Sequence, residues 1–337
     1  MRLANPLPKP AAVNAMPFLI AAFCLLWSSA FAVAKVALAD CPPLLLLTAR
    51  FLLAGAVMLA AAALDRSHWQ LARRDLGILA LLLGVTNNAL YLGLNYVGMQ
   101  SISAGLSALI VSANPVLTAV LATFFLGERM TLRRAAGLLL GIGGVGFIVE
   151  SRIAGGIDNP TGIALTVAAL VSLVVGTILF KRLTPNGGLW IGNGLQNLVG
   201  GLALAPFAFG FESVGEVVLS WRLVFTLGYL ALLVSVLGFL LWFHLLTVMG
   251  ATPASAYHFL MPPLGMLFGW LLRGEHVAWL DLVGILPVAL GIYLVTRPAR
   301  SWELAPVRSD ASNAHTGTFA LLAATVIMVA AQASGAK

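Results

Sequence analysis

The sequence predicts an all-α membrane protein with ten transmembrane helices, arranged as two inverted five-helix repeats. The first observation is composition: of the 337 residues, 60% are hydrophobic and 9% are charged, and the mean hydropathy is +0.98. A soluble domain has about 25% charged residues. Because this chain cannot cover itself with a wettable surface, its composition excludes a soluble enzyme and a disordered chain. The other two observations are a series of apolar stretches and an internal repeat.

Ten apolar stretches are long enough to cross a bilayer, which takes about 20 residues as a helix. They are 17–38, 44–64, 76–97, 104–126, 132–149, 162–180, 188–208, 223–249, 253–272 and 280–296. The first stretch contains Lys35 and is followed by nine more, so it is not a cleaved signal peptide. A further apolar stretch at 319–331 is short for a span. It is either an eleventh helix or a segment lying in the membrane interface.

The basic residues predict the orientation in the membrane. If the N-terminus is cytoplasmic and the spans alternate, thirteen basic residues face the cytoplasm and four face outside. The inside group is Arg2, Lys9, Arg66, Arg73, Arg74, Arg129, Arg133, Arg134, Lys181, Arg182, Arg297, Arg300 and Arg308, and the outside group is Lys35, Arg152, Arg222 and Arg273. This excess predicts a multi-pass protein of the inner membrane with a cytoplasmic N-terminus.

The chain also repeats itself. At a shift of 147 residues Pro115 aligns with Pro262, and Gly127-Glu128 aligns with Gly274-Glu275. Earlier in each half the shift is 146, which aligns Arg50 with Gln196. The alternative, chance matching within a biased composition, accounts for Gly and Leu matches better than for these. Each half holds five spans, and because five is odd, the halves enter the membrane from opposite sides. The predicted units are a first repeat at 17–149, a second repeat at 162–297 and a tail at 298–337.

Several motifs carry a family resemblance. They are Trp27-Ser28-Ser29-Ala30-Phe31 with Lys35, Pro43 with Arg50-Phe51, and the two Pro-to-Gly-Glu blocks at 115–128 and 262–275. Together they resemble the drug/metabolite transporter superfamily and its duplicated EamA domain, over about residues 17–297. The resemblance implies a ten-helix permease that exports or imports small metabolites, often amino acids. The tail departs from this pattern.

Charged side chains inside the membrane are costly and mark functional sites. All twelve acidic residues lie at span ends, in loops or in the tail, which argues against simple proton-coupled export of cationic drugs. Arg50 lies six residues into the second span. It either binds a substrate carboxylate or phosphate through its guanidinium fork, or it snorkels outward or staples helices through backbone carbonyls.

Polar and aromatic residues on three spans are candidates for a substrate cavity. Asn88, Tyr91 and Asn95 recur at spacings of three and four, which places them on one helical face. The other candidates are Gln196 on the seventh span and Trp27, Ser28 and Phe31 on the first. Two interpretations remain open, because such residues either line a wet cavity or bond neighbouring helices to each other.

Two histidines and two prolines complete the set of candidates. His244 and His258 are the central groups that titrate near neutral pH, so they are candidates for proton coupling, the alternative being a satisfied neutral histidine. Tyr257 and His258 precede Pro262. Pro115 and Pro262 are predicted hinges, because a proline inside a helix removes a backbone hydrogen bond. The freed carbonyls either face a cavity or are satisfied by neighbouring side chains.

The favoured function is a secondary transporter that moves amino acids or related metabolites by alternating access, with export preferred. A multidrug or other metabolite exporter is the alternative, and a membrane-embedded enzyme is the remote one. We expect no cofactor, no metal and no nucleic acid partner, because no credible nucleotide-binding motif or metal-ligand spacing is present. The expected partners are a small-molecule substrate and the lipid bilayer. The oligomeric state is not determined by the sequence.

Overall fold

A computed structural model of the chain describes residues 10–64, 73–153, 159–183, 189–274 and 279–296. These residues form helices and short connections, and none of them forms a strand, as predicted. The tail at 298–337, the linker around Gly155 and Glu275 lie outside the described residues. The α-helices are α1 (Pro10–Ala37), α2 (Pro43–Leu64), α3 (Arg73–Leu83), α4 (Gly93–Gly98), α5 (Ala104–Val111), α6 (Asn114–Phe125), α7 (Leu132–Ile153), α8 (Pro160–Leu183), α9 (Leu189–Phe211), α10 (Trp221–Gly228), α11 (Phe239–Met249), α12 (Ala251–Ala256), α13 (Met261–Arg273) and α14 (Trp279–Thr296).

Seven helical segments of the described part are long and apolar enough to cross a membrane. They are Met16–Ala37, Pro43–Ala63, Gly77–Gly98, Ala104–Phe125, Pro160–Leu183, Leu189–Phe211 and Trp221–Met249. The other three predicted stretches are helical and fall in α7, in α12 with α13, and in α14. They are not among these seven, so a count of ten crossings stays a prediction.

The distribution of polarity is the reverse of that in a soluble protein. Large apolar side chains such as Phe18, Phe124 and Leu132 are exposed, while Arg50 and Asn88 are buried. This arrangement suits a lipid environment, where polar groups must be satisfied inside the protein. The chain is therefore a multi-pass membrane protein.

Two spans contain long π-helical segments at matching places in the repeat. Gly84–Leu92 lies between α3 and α4, and Tyr229–Gly238 lies between α10 and α11. A shift of 147 residues carries 84–92 onto 231–239, so the two segments nearly coincide. π-Helical geometry is rare and recurs at functional sites.

The two predicted hinge prolines lie at breaks between helices. The sequence led us to expect each within a continuous helix, and this was wrong in detail. Pro115 is in the first turn of α6 and Pro262 is in the first turn of α13. A proline in the first turn leaves no intrahelical hydrogen bond unmade, because the N–H there has no partner in any helix. The span ahead of Pro262 is interrupted by a 3₁₀ turn at Tyr257–Leu260.

The helices α2 and α9, second in each half, pack closely against each other. A Cβ on Gly55 would lie 2.7 Å from Leu198, and a Cβ on Gly201 would lie 2.9 Å from Leu52. The shift of 146 residues relates Gly55 to Gly201 and Leu52 to Leu198, so the two contacts are equivalent in the repeat. Because residue numbers rise along α2 as they fall along α9, the two helices run antiparallel.

A second antiparallel pair brings two backbones into direct contact. In α7 and α14, a Cβ on Gly137 would lie 2.8 Å from the carbonyl oxygen of Gly291. A Cβ on Gly291 would lie 2.6 Å from the carbonyl oxygen of Gly137. Small residues allow this approach, as in other membrane helix pairs.

Two lysines at matching positions make matching contacts. Lys35 donates from Nζ to the carbonyl oxygens of Met99 and Ile102, the latter at 2.9 Å. Lys181 donates to the carbonyl oxygen of Leu246 at 3.1 Å. The shift of 146 relates the lysines, and the shift of 147 relates Met99 to Leu246. Lys35 thus ties α1 to the end of α4.

Ionic contacts fix the connection between α1 and α2. The carboxylate of Asp40 accepts hydrogen bonds from Arg222 Nε at 2.7 Å and Ser220 Oγ at 2.6 Å, and it also pairs with a terminal guanidinium nitrogen of Arg222. The hydrogen bond from Arg222, followed by that from Ser220, lowers the pKa of Asp40 to about 2. The α1–α2 connection is thereby joined to the start of α10.

Carboxylates also cap two helix N-termini, where the backbone N–H groups lack partners. Glu212 accepts from the amides of Leu44 and Leu45 at 2.9 and 2.8 Å, at the start of α2. Glu128 accepts from the amide of Ala251 at 3.0 Å, at the start of α12.

Candidate functional site

A small cavity lies between α1, α2 and the two spans that contain π-helical segments. Most of its lining is apolar or aromatic, and a few polar side chains converge on it. The lining residues are Trp27, Ala30, Phe31, Arg50, Tyr91, Leu92, Asn95, Tyr96, Val234 and Phe239. A mostly apolar pocket with a few placed polar groups is the usual form of a small-molecule site.

Arg50 is the charged residue of this cavity. Its side chain is 1% exposed. Its Nε donates to the hydroxyl of Ser235 at 2.8 Å, and its Nη1 donates to the hydroxyl of Tyr96 at 2.6 Å. The guanidinium carbon lies 5.5 Å from the ring centroid of Phe51, within the range of a cation–π contact. The guanidinium is thus held in place by hydroxyls and rings.

The charge of Arg50 has no neutralising carboxylate in the described residues, since none lies within 4 Å of the guanidinium. The effective penalty for burying an ion is several kcal/mol unless it is paired. Two neutral hydroxyls offset only part of this, because a hydrogen bond to a charged group contributes about 1.5–3 kcal/mol. The cavity therefore favours an anion beside Arg50.

Asn95 supplies a second donor to the cavity. Its Oδ1 accepts a hydrogen bond from Ser107 Oγ at 3.1 Å, which fixes the orientation of the amide. Its Nδ2 is buried and has no hydrogen-bond partner in the described structure. A buried unpaired donor is costly, so a ligand acceptor at this position would be stabilised.

An aromatic cluster forms one wall of the cavity and extends behind it. Trp27 lies 5.1 Å from Phe239 and 5.8 Å from His258, measured between ring centroids. His258 is fully buried and also contacts Trp242 at 4.7 Å. Its Nδ1 lies 3.1 Å from the carbonyl oxygen of Ser255. Trp27 lines the cavity, whereas His258 contacts Trp27 but is not among the residues that line the cavity.

A cluster of buried amides links the third span to α9. Gln196 donates from Nε2 to Asn88 Oδ1 at 2.6 Å, and Asn88 donates from Nδ2 to Asn197 Oδ1 at 3.2 Å. Asn197 donates to the carbonyl oxygen of Asn193 at 2.8 Å. Of the two interpretations left open by the sequence, helix-to-helix bonding describes Asn88 and Gln196. Neither is among the residues that line the cavity.

The repeat relates this amide contact to the arginine contact. The shift of 146 residues carries Arg50 onto Gln196, and the shift of 147 carries Asn88 onto Ser235. Through the repeat, the Arg50–Ser235 bond therefore corresponds to the Gln196–Asn88 bond. Only the first of these contacts carries a charge and adjoins the cavity described here.

The structure brings five of the predicted site residues together: Trp27, Phe31, Arg50, Tyr91 and Asn95 line one cavity. The sequence placed Asn88, Tyr91 and Asn95 on one α-helical face, but Asn88 does not line the cavity with the other two. Asn88 and Tyr91 lie in a π-helical segment, where hydrogen bonds run from i to i+5 and the faces rotate.

The remaining candidates lie elsewhere. Ser28 is fully buried on α1 outside the lining, and Tyr257 is buried beside His258 in the 3₁₀ turn. His244 is half-buried on α11 and does not line the cavity. Proton coupling through either histidine therefore stays a prediction.

Three further residues at the cavity were not among the candidates for substrate binding that the sequence provided. Tyr96, Ser235 and Phe239 contact Arg50 or line the cavity. Ser235 is a lone polar residue in an apolar stretch and gives little signal by itself. Its alignment with Asn88 in the repeat was the signal that could have found it.

No group of three or more His, Cys, Asp or Glu side chains in the described ranges is placed to hold a metal ion. Cys24 and Cys41 are both buried and free.

A multi-pass helical protein whose interior holds a charged, aromatic-walled cavity has the form of a membrane permease. The chain belongs to the EamA-like transporter family, which matches residues 15–150 and again 160–297. It is a transporter of the drug/metabolite type. The membrane-embedded enzyme, kept as a remote alternative from the sequence, is thereby excluded.

Curated relatives span nearly the whole chain. The uncharacterized transporter YvbV of Bacillus subtilis is 28% identical over 302 residues, which is 89% of this chain and 96% of the relative. The uncharacterized inner membrane transporter YedA of Escherichia coli K12 is 28% identical, over 86% of this chain and 94% of the relative. A Salmonella typhimurium protein named a probable amino-acid metabolite efflux pump is 26% identical, over 82% and 93%.

The fold has a counterpart among solved structures. A crystal structure with 19% sequence identity matches with a TM-score of 0.68, over 86% of this chain and 97% of the other. At this identity the likeness concerns the fold alone.

Proposed function

We propose that the protein is a secondary transporter that exports small metabolites with an acidic group, amino acids and related compounds first among them. The observation that carries the proposal is the buried guanidinium of Arg50, which has no carboxylate within 4 Å in the described part of the chain and lines the cavity. A substrate anion would supply the missing charge.

Alternating access of two inverted five-helix halves, at 17–149 and 162–297, is the proposed mechanism. The antiparallel packing of α2 and α9 supports it, because these helices hold equivalent positions in the repeat. In inverted-repeat transporters the site lies between the halves, which rock to open it to either side. The cavity fits this scheme, since Arg50 on one half bonds Ser235 on the other. The proposal includes ten crossings and a cytoplasmic N-terminus.

Export of amino-acid metabolites is supported by the printed name of the Salmonella relative. A multidrug exporter is the alternative substrate class. Against it stands the electropositive character of the cavity, because many drugs of this kind are lipophilic cations and would be repelled by Arg50.

Counterflow in proteoliposomes tests the proposal. Vesicles loaded with unlabelled amino acids or derived acids are diluted into the labelled compound, with fluorescent cationic dyes assayed in parallel. We expect accumulation of at least one acidic metabolite by the wild type and its loss in Arg50→Gln. The matched control is Leu202→Ala, since Leu202 is 63% exposed on the lipid-facing surface. Transport of dyes alone, unaffected by Arg50→Gln, would contradict the proposal.

A further inference from the structure

We infer that the cavity selects a monocarboxylate with an aromatic or apolar body and discriminates against the same compound when it carries an ammonium group. This inference rests on the proposed function, but it ranks the related acids above the amino acids that the proposed function places first. Amino acids in zwitterionic form would then be weaker ligands than the acids that lack the amine.

The first step is the charge of the lining. Arg50 contributes one positive charge, and the described residues that line the cavity include no Asp or Glu. A monoanion leaves the occupied cavity neutral. A zwitterion has no net charge and leaves the positive charge of Arg50 uncompensated. A phosphate dianion gives the occupied cavity a net negative charge. Burial penalises both of these net charges.

The second step is the set of free donors. A guanidinium has five N–H groups, of which one goes to Ser235 and one to Tyr96. The others make no hydrogen bond within the described structure. Asn95 Nδ2 is also unpaired. These donors suit the two oxygens of a carboxylate, which accepts hydrogen bonds and donates none.

The ammonium group of a bound amino acid would lie close to the charge of Arg50. In an α-amino acid the amine is bonded to the carbon next to the carboxylate, so a carboxylate held by Arg50 places the amine close to the guanidinium. Like charges repel strongly at such separations in a poorly hydrated site. The nearby hydroxyls of Tyr96 and Ser235 already accept hydrogen bonds from Arg50, which reduces their capacity to accept hydrogen bonds from an amine as well.

Aromatic side chains form most of the remaining lining of the cavity. Trp27, Phe31, Tyr91 and Phe239 surround the cavity with rings. Aromatic side chains bind planar apolar bodies through offset stacking and edge contacts. The ligand class is therefore an aromatic or apolar monocarboxylate.

Three ligands that share one phenyl ring test the inference on the wild-type protein. They are 3-phenylpropionate, L-phenylalanine and 2-phenylethylamine, which carry the carboxylate alone, both charges and the ammonium alone. Each is titrated against the purified protein in nanodiscs, with binding followed by tryptophan fluorescence. We expect 3-phenylpropionate to bind at least tenfold more tightly than L-phenylalanine, and 2-phenylethylamine not to bind. Equal or tighter binding of L-phenylalanine would overturn the inference.

Asn95→Asp is a second test that does not depend on loss of function. The aspartate keeps an acceptor for Ser107, removes the free donor and supplies a negative charge for an ammonium. We expect the order of affinities to reverse, so that L-phenylalanine binds more tightly than 3-phenylpropionate. An unchanged order in a folded variant overturns the inference.

The outcomes also separate this inference from the proposed function. If L-phenylalanine binds better and is carried in counterflow, the transporter proposal stands and the discrimination against the amine is wrong. If none of the three ligands binds and no acidic metabolite is carried, both fail.

Discussion

The guanidinium of Arg50 and the hydroxyl of Ser235 are joined by a 2.8 Å hydrogen bond that crosses from the first half of the chain to the second. Its counterpart in the repeat is the 2.6 Å bond between Gln196 and Asn88. The chain thus carries one polar contact twice, once charged and beside a cavity, and once as a neutral amide pair. Because of this asymmetry between the two halves, we propose that the substrate binds beside Arg50.

Arg50→Lys should weaken substrate binding while the protein still assembles. Lysine keeps the charge but cannot donate from Nε to Ser235, and its point charge does not match the two oxygens of a carboxylate. We expect the KM for the transported acid in counterflow to rise by about tenfold, which corresponds to about 1.4 kcal/mol. Size-exclusion chromatography checks assembly. Loss of assembly would instead assign Arg50 to the stapling of helices.

Asn88→Ala should lower stability more than it impairs transport. The sequence grouped Asn88 with the cavity, whereas its hydrogen bonds go to Gln196 and Asn197. Removing it leaves the Nε2 of Gln196 and the Oδ1 of Asn197 unpaired, at a cost of roughly 1–3 kcal/mol. A lower melting temperature with a KM within about twofold of wild type is the expected result. The comparison variant is Asn95→Ala, for which we expect a raised KM. A larger KM change in Asn88→Ala than in Asn95→Ala would place Asn88 in the site.

Gly55→Leu should disrupt the pairing of α2 with α9. Even a Cβ at this position would lie 2.7 Å from the Leu198 side chain and 2.9 Å from its backbone nitrogen. Overpacking of this kind typically costs about 1–3 kcal/mol and occasionally more. We expect reduced thermal stability in detergent and a lower yield of monodisperse protein. A Cβ on Gly77 would have no neighbouring atom within 4 Å, so Gly77→Leu is the control that should not destabilise the protein. Equal stability of the two variants would argue against the close contact.

The contact between Asp40 and Arg222 should persist at all physiological pH values and weaken only in acid. The folded pKa of Asp40 is about 2, below the unperturbed value of about 3.9. Its stabilising contribution is therefore fully present above pH ~4 and is lost as the pH falls through the folded pKa. Asp40→Asn should lower the melting temperature at pH 7, and the difference from wild type should shrink towards pH 3. A difference that grows on acidification would contradict this assignment.

Hydropathy was sufficient to predict the helical stretches, and seven of them are long and apolar enough to cross a membrane in the described part of the chain, because crossing a bilayer imposes length and apolarity on each segment. The carbonyl partners of Lys35 and Lys181 could not be predicted, because carbonyl acceptors leave no mark on side-chain identity. The sequence identified Arg50, since a cation within an apolar span is conspicuous.

Local helix geometry and long-range packing were not predictable in the same way. The face of Asn88 was misassigned because α-helical spacing was applied to a segment that is π-helical. Nothing in the local sequence predicts a π-helical segment at this place. Glu212 was assigned only to a span end, and its role as the cap of α2 depends on where α9 ends in space. Ser235 became interpretable only once Arg50 was seen to contact it.

A crystal structure of the protein with 3-(4-bromophenyl)propionate would show where the carboxylate binds, because bromine is located independently by its anomalous signal. We expect the carboxylate within about 3 Å of the Arg50 guanidinium nitrogens, at hydrogen-bonding distance. The bromine should lie among the rings of Trp27, Phe31 and Phe239. A ligand bound elsewhere, or one whose carboxylate points away from Arg50, would contradict the account.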